Sequence, residues 1–279
     1  MNLTQVCDII ELPEPVRVAV LANATSPEVA KATHHKSGLR NRDTWEAEVK
    51  AVAATLDADP DGMKMLAFML LCAAEAHDRY VALGIDDVIF ADTMKFCTRF
   101  VVDHHRTHGV YAFTWGWWLP RQLSLQEFRF GVLEYEMSET AAGRSINIHI
   151  PGDAVLTADA LSHSYQLARR TIARIAPEFA DTDMVCDSWM LSPVLDSLLP
   201  AHSRILAFKS SFDVLSVDPA SPHATRWIFG RYDLPLDALP ESTSLQRKTK
   251  ALMLAGGSIG AAFGTLRKDG WAATVALSP

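Results

Sequence analysis

The sequence predicts an α+β fold in which a helical N-terminal half precedes a half of mixed strands and helices. Three observations carry this. Up to about residue 112, apolar residues recur at the three-to-four spacing of amphipathic helices. After Gly109 the period shortens to two, most strictly at Ser145–Ile150, where Ile146, Ile148 and Ile150 alternate with Asn147 and His149. A helical stripe then returns at Leu161, Tyr165, Ala168, Ile172 and Ile175. With 279 residues there is room for two cores, so the reading divides the chain into domains at 1–112 and 113–279.

Each element follows from local pattern. Asp43, with Glu46 three residues on, predicts a capping box for a helix through Trp45, Val49, Val52 and Leu56. Met63 to Leu83 is apolar on nearly every face in its first half, which predicts the central buried helix. Ile85, Ile89, Phe96 and Phe100 predict one further helix, with Gly109 beyond its end. Phe128–Met137 and Ser145–Ile150 read as strands. Thr157 is placed to cap the next helix, which carries Arg169, Arg170 and Arg174 towards its C-terminus and stops before Pro177. Met184–Leu191, Arg204–Leu215 and Thr225–Tyr232 read as further strands, and Ser242 or Thr243 opens a last helix reaching Gly256.

Composition narrows the function. Lys plus Arg is 26 against 33 Asp plus Glu, a net charge of −7, which argues against a general nucleic-acid binder. The four cysteines are scattered without a CxxC pair, so neither a disulfide framework nor a metal site is expected, and free thiols suit a reducing compartment. The most apolar run, Met65–Ala74, is too short to span a bilayer. The expectation is a soluble cytoplasmic protein with no permanently bound cofactor.

Four landmarks in the second half point to a reaction class: Phe128-Arg129-Phe130-Gly131-Val132-Leu133-Glu134-Tyr135-Glu136, Ile146-Asn147-Ile148-His149-Ile150-Pro151, Cys186-Asp187-Ser188-Trp189-Met190-Leu191 and Thr243-Ser244-Leu245-Gln246-Arg247. Their order and content resemble a bacterial family of N-acyltransferases in which a helical N-terminal domain precedes a GNAT-like acyltransferase domain. The resemblance implies a helical bundle with a GNAT-like twisted mixed sheet. It implies transfer of an acyl group from a thioester, acyl-CoA or an acyl-pantetheine carrier protein, to the amine of a small molecule. A catalytically silent acyl-binding or carrier-interacting protein on the same fold is the alternative.

Within that reading His149 is the candidate base, because imidazole titrates near neutral pH and stands on the polar face of its strand. Glu134 and Glu136 share a strand face; Glu136 is the second candidate base and Glu134 a candidate acceptor contact. A solvated strand edge is the more common explanation for such a pair of acids. The resemblance makes Ser188 the candidate acid for the departing thiolate, with Asp187, where the family carries His, and Trp189 beside it. Asn147, Pro151 and Gly152 complete the candidate binding residues, at the start of a helix whose unpaired amides favour an anion. Asp153 interrupts that loop with a negative charge, and the usual glycine-rich phosphate stretch is absent. Cys186 as an acyl carrier lacks any neighbour that would lower its pKa.

Three other patterns compete. Gly256-Gly257-Ser258-Ile259-Gly260 fits the G-x-S-x-G form of a hydrolase elbow, but a helix precedes it and no histidine follows. His104 and His108 stand four apart without the glutamate of a zinc helix. Trp115, Trp117 and Trp118 could pack between domains or stack on a ligand.

Overall fold

The structure is a computed structural model that describes residues 1–141, 143–231 and 233–268. It divides into two compact units. The first comprises Met1–Phe130 with Glu134–Glu136; the second comprises Gly131–Leu133 and Met137 onward.

The first unit is built from α1 (Leu3–Ile9), α2 (Glu14–Asn23), α3 (Pro27–Ala32), α4 (Trp45–Leu56), α5 (Met63–Ala82), α6 (Asp87–Met94), α7 (Phe96–His108) and α8 (Pro120–Leu123). As expected, α5 is its axis: Leu66, Phe68, Leu70 and Tyr80 are among its buried side chains, and α1 to α4 all pack on it. Gly62 precedes α5 in a left-handed conformation at φ 70°, where a Cβ would run into the Phe113 carbonyl. The Tyr80 hydroxyl donates to the Gln122 carbonyl at 2.9 Å, and its ring meets Phe90 and Phe128 edge-on. Burial in that setting drives its phenol well above the ordinary value.

Two helix expectations need correction. Asp43 does not cap α4: the helix starts at Trp45 behind Thr44, and no side chain supplies a cap bond there. A turn at Asn41 holds this entry, its carbonyl accepting from the amides of Thr44 and Trp45. The single helix expected through Ile89 and Phe100 is two, α6 and α7, joined at Lys95. Gly109 ends α7 at φ 77°.

Strands begin only at β1 (Glu127–Phe130), followed by β2 (Leu133–Thr140) and β3 (Gly143–His149). Next come α9 (Ala158–Ile175), β4 (Met184–Ser188), α10 (Leu195–Leu198), α11 (Arg204–Lys209), β5 (Phe212–Asp218), α12 (His223–Phe229), α13 (Ser244–Leu254) and β6 (Ala261–Leu266). The strands form one mixed sheet in the order β1-β2-β3-β4-β6-β5. β3 and β4 are parallel, and β6 runs antiparallel to both β4 and β5. The fold is therefore α+β, and β3 lies inside the sheet between β2 and β4.

Thr157 caps α9, accepting from the Ala160 amide at 3.4 Å, and Leu161, Tyr165, Ala168 and Ile172 of the predicted stripe are buried, while Ile175 at its end is half-buried. Thr243 opens α13 with a complete capping box to Gln246. Arg204–Leu215 and Thr225–Tyr232 are not continuous strands. The first begins as α11, and the strand starts only at Phe212. The second is α12, whose buried Ala224 and Ile228 stand four apart, a helical spacing; Tyr232 lies outside the described residues. β6 has no counterpart in the sequence reading. Its Ala-Ala-Phe-Gly-Thr-Leu lacks the usual β-branched content, and close packing explains that: a Cβ on Gly264 would come within 2.9 Å of the Asp213 carbonyl oxygen.

Candidate active site

The acids of β2 face inward. Glu134 and Glu136 are both 5% exposed, so the solvated-edge reading fails. Glu134 pairs with Arg99 of α7. Glu136 lies 3.4 Å from Arg121 Nε and 3.7 Å from Arg42 Nη2. Glu127, on β1, is fully buried and was not singled out from the sequence. Its carboxylate accepts from Trp118 Nε1 at 3.0 Å and from Gln122 Nε2 at 2.6 Å, and lies within 4.8 Å of the Glu136 carboxylate.

The arginines are held by rings. Arg121 Cζ stands 4.1 Å from the Trp118 ring centroid and 5.3 Å from that of Trp45, a cation between two π faces. Arg42 lies 5.6 Å from Trp45 and donates to Gln126 at 3.0 Å. This unit thus keeps three buried carboxylates satisfied by charged or indole donors, as buried charge requires. The sequence signal was weak: Glu127-Phe128-Arg129-Phe130 puts charge on a strand that is buried throughout, while nothing marks Arg42, Arg99 or Arg121.

The second unit presents a different polar row. On β3, Ile146 and Ile148 are buried while Ser145, Asn147 and His149 are half-buried, so the alternation read from sequence is the alternation present. β4 pairs with β3 at Ile146–Met184 and Asn147–Val185. The two strands then run on to His149 and Ser188 with no further register pair among the described residues. Asn147 and Val185 share a sheet face, so His149 and exposed Asp187, each two residues on, share it too. Ser188 is half-buried on the opposite face, and its Oγ accepts from the Met190 amide at 3.1 Å.

The loop after β3 turns at Pro151, whose carbonyl accepts from Ala154, leaving Gly152 and Asp153 exposed before the Thr157 cap. Pro151 has no N–H, so it cannot be one of the loop's amide donors. Trp189 is not on the strand. It opens a 3₁₀ turn and packs with Leu195, Ile228 and Phe229, among others, in the core. Cys186 is buried, and burial and then Asp187 raise its thiol far above the ordinary value, which makes it inert as a nucleophile.

The competing motifs resolve locally. Ser258 Oγ accepts from the Gly260 amide at 3.1 Å, an ordinary turn bond between α13 and β6. His104 and His108 stack with centroids 4.3 Å apart, and His104 Nδ1 donates to the Val110 carbonyl at 2.8 Å. No helix among the described residues is long and apolar enough to cross a membrane.

Comparison with known proteins fits this architecture. No curated protein matches the chain. Among solved structures, an acyltransferase in complex with CoA and 10C-teicoplanin superposes with a TM-score of 0.79 at 20% identity, over 94% of this chain and 86% of that one. An acyltransferase in complex with decanoyl-CoA and teicoplanin gives 0.79 at 20% identity, over 94% and 87%. One in complex with decanoyl-CoA alone gives 0.78 at 20% identity, over 94% and 86%. At such identity the likeness is one of fold. The N-acyltransferase N-terminal domain family matches residues 1–125 and the GNAT-like C-terminal domain family matches residues 127–266. The chain therefore belongs to the N-acyltransferase family that joins these two domains.

Proposed function

We propose that the protein transfers an acyl group from a CoA thioester to the amine of a small molecule by direct attack in a ternary complex. One observation carries the reading: the half-buried Asn147–His149 row ends where the pairing of β3 with β4 stops, next to the capped start of α9. A pantetheine arm inserted between the parted strand ends would place its thioester carbonyl level with His149. The solved acyltransferases of this fold hold CoA and decanoyl-CoA, which supports CoA as the carrier of the donor here.

His149 takes the proton of the attacking amine as its nitrogen bonds to the thioester carbon. Glu136, whose carboxylate is already engaged by two arginines, is the second candidate. Amides of the Gly152–Asp153 loop and of the start of α9 receive the CoA pyrophosphate. The C–S bond then breaks, and the thiolate takes a proton. Ser188 lies on the face opposite His149, so a thioester lodged between the strands is reached by the amine from one side and by Ser188 from the other. Asn147 and Asp187 line the amine side. Glu134 and Trp189, given their partners, act by holding β2 and the turn after β4 in place rather than by touching substrate.

The test is thiol release from a panel of acyl-CoAs and primary amines, followed by the same assay on His149→Ala. Release that is amine-dependent and lost in the variant supports the reading; amine-independent release, or full activity without the imidazole, sinks it. The silent acyl-binding alternative draws on Asp187 and on Asp153 beside the helix start. It predicts thermal stabilisation by acyl-CoA with no thiol released by any amine.

A further inference from the structure

Three rings of the first unit form a column that leads to the surface. Phe100 lies 4.2 Å from Trp115, centroid to centroid, at 31°, and Trp115 lies 5.3 Å from Trp117 at 25°, so the last pair is stacked. Buried Phe96 braces the inner end from the side, 4.6 Å from Phe100 and edge-on to Trp115 at 6.3 Å. Trp117 ends the column 48% exposed, the one tryptophan of its local cluster left so open. An indole costs free energy when its apolar area stays in water, and stacking partners normally close such a column.

Arg121 ties this open end to the candidate chemistry. Its guanidinium carbon is 5.9 Å from the Trp117 centroid, and its Nε is 3.4 Å from Glu136. A molecule whose ring extends the column therefore has its substituents one arginine side chain away from the Glu136 carboxylate.

We propose that Trp117, backed by Trp115 and Phe100, is the binding site for an aromatic ring of the acyl acceptor, so that the preferred acceptors are alkyl amines that carry an aryl group. The proposal rests on the acyl-transfer reading for the word acceptor, and on the ring column alone for the site. Ring stacking of this kind is directional. A saturated ring of the same size would gain area burial without the offset stack, and the difference corresponds to about 3–10-fold in affinity.

The experiment compares 2-phenylethylamine with 2-cyclohexylethylamine, which carry the same amine on the same linker. Binding to the full-length protein is followed by the indole N–H signals of ¹⁵N-tryptophan-labelled samples, and affinity by ligand-observed NMR. The expected result is a preference of about 3–10-fold for the phenyl compound, abolished in Trp117→Ala and restored in Trp117→Phe. Equal binding of the two amines, no measurable binding of either, or a preference that survives Trp117→Ala overturns the proposal. Glucosamine bound more tightly than the phenyl compound also overturns it, in favour of a sugar platform. None of these readings needs a donor or turnover. Failure of thiol release with the phenyl preference intact therefore counts against acyl transfer, and leaves the ring site standing.

Discussion

Neighbouring strands β2 and β3 each carry a polar pair two residues apart, and the pairs differ in burial and in the arginines that hold them. Glu134 and Glu136 on β2 are buried and gripped by arginines from α7, from α8 and from the segment before α4. Asn147 and His149 on β3 are half-buried, at the point where their strand loses its register with β4. The same two-residue period thus produces a charged core on one strand and an accessible polar row on the other. Period tells which side chains share a face. It does not tell what covers that face, and coverage decides whether a polar group supports the fold or meets a substrate.

The largest expected effects test that division. His149→Ala should lower amine-dependent thiol release by about 10²–10⁴-fold with melting temperature unchanged, the range for a positioned acid–base group. A coupled loss of stability would move His149 to the structural side of the comparison. Arg99→Met should do the reverse. It leaves the Glu134 carboxylate buried without its cation, which costs roughly 3–5 kcal/mol of folding stability. Urea unfolding would show it, and adding Glu134→Gln should recover most of the loss, because the cost belongs to the orphaned charge rather than to the missing contact. Gly62→Ala should cost somewhat less, roughly 1–3 kcal/mol, from forcing a left-handed backbone and meeting the Phe113 carbonyl. An unchanged melting temperature in that variant would show that the entry to α5 relaxes freely.

What was legible in the sequence follows the same physics. All-round apolar character located α5, periodicity located α9 and β3, and side-chain chemistry located the cap at Thr157 and narrowed that of α13 to Ser242 or Thr243, because these depend on residues within a turn of one another. The strand β6 escaped because its small residues answer to neighbours far along the chain, Asp213 and Leu191 around Gly264. The arginine partners of the β2 acids escaped for the same reason: Arg99 stands 35 residues before Glu134. Cys186 reads as inert because no neighbour in sequence would lower its pKa, and in the structure burial, then Asp187, raise it.

The smallest expected effect sharpens the comparison through salt. Asp153 is exposed in the loop between β3 and α9, on the side where a helix start favours an anion. If the CoA pyrophosphate seats there, Asp153→Ala removes one repulsive charge and should tighten CoA binding about 2–5-fold at low ionic strength, the scale of a single surface charge. Because the carboxylate is solvated, the gain should shrink as salt rises and the screening length falls below about 10 Å. The stability lost in Arg99→Met should respond less, since its charge pair is largely buried, the Glu134 side chain 7% and the Arg99 side chain 15% exposed. Calorimetric titration of CoA into both Asp153 forms, alongside urea unfolding of the Arg99 pair at the same two salt concentrations, measures both. A salt-insensitive gain at Asp153 would mean that the loop closes over its ligand and shields it from solvent. Equal salt responses at the two positions would erase the distinction between a buried charge network on β2 and an accessible polar rim beyond β3.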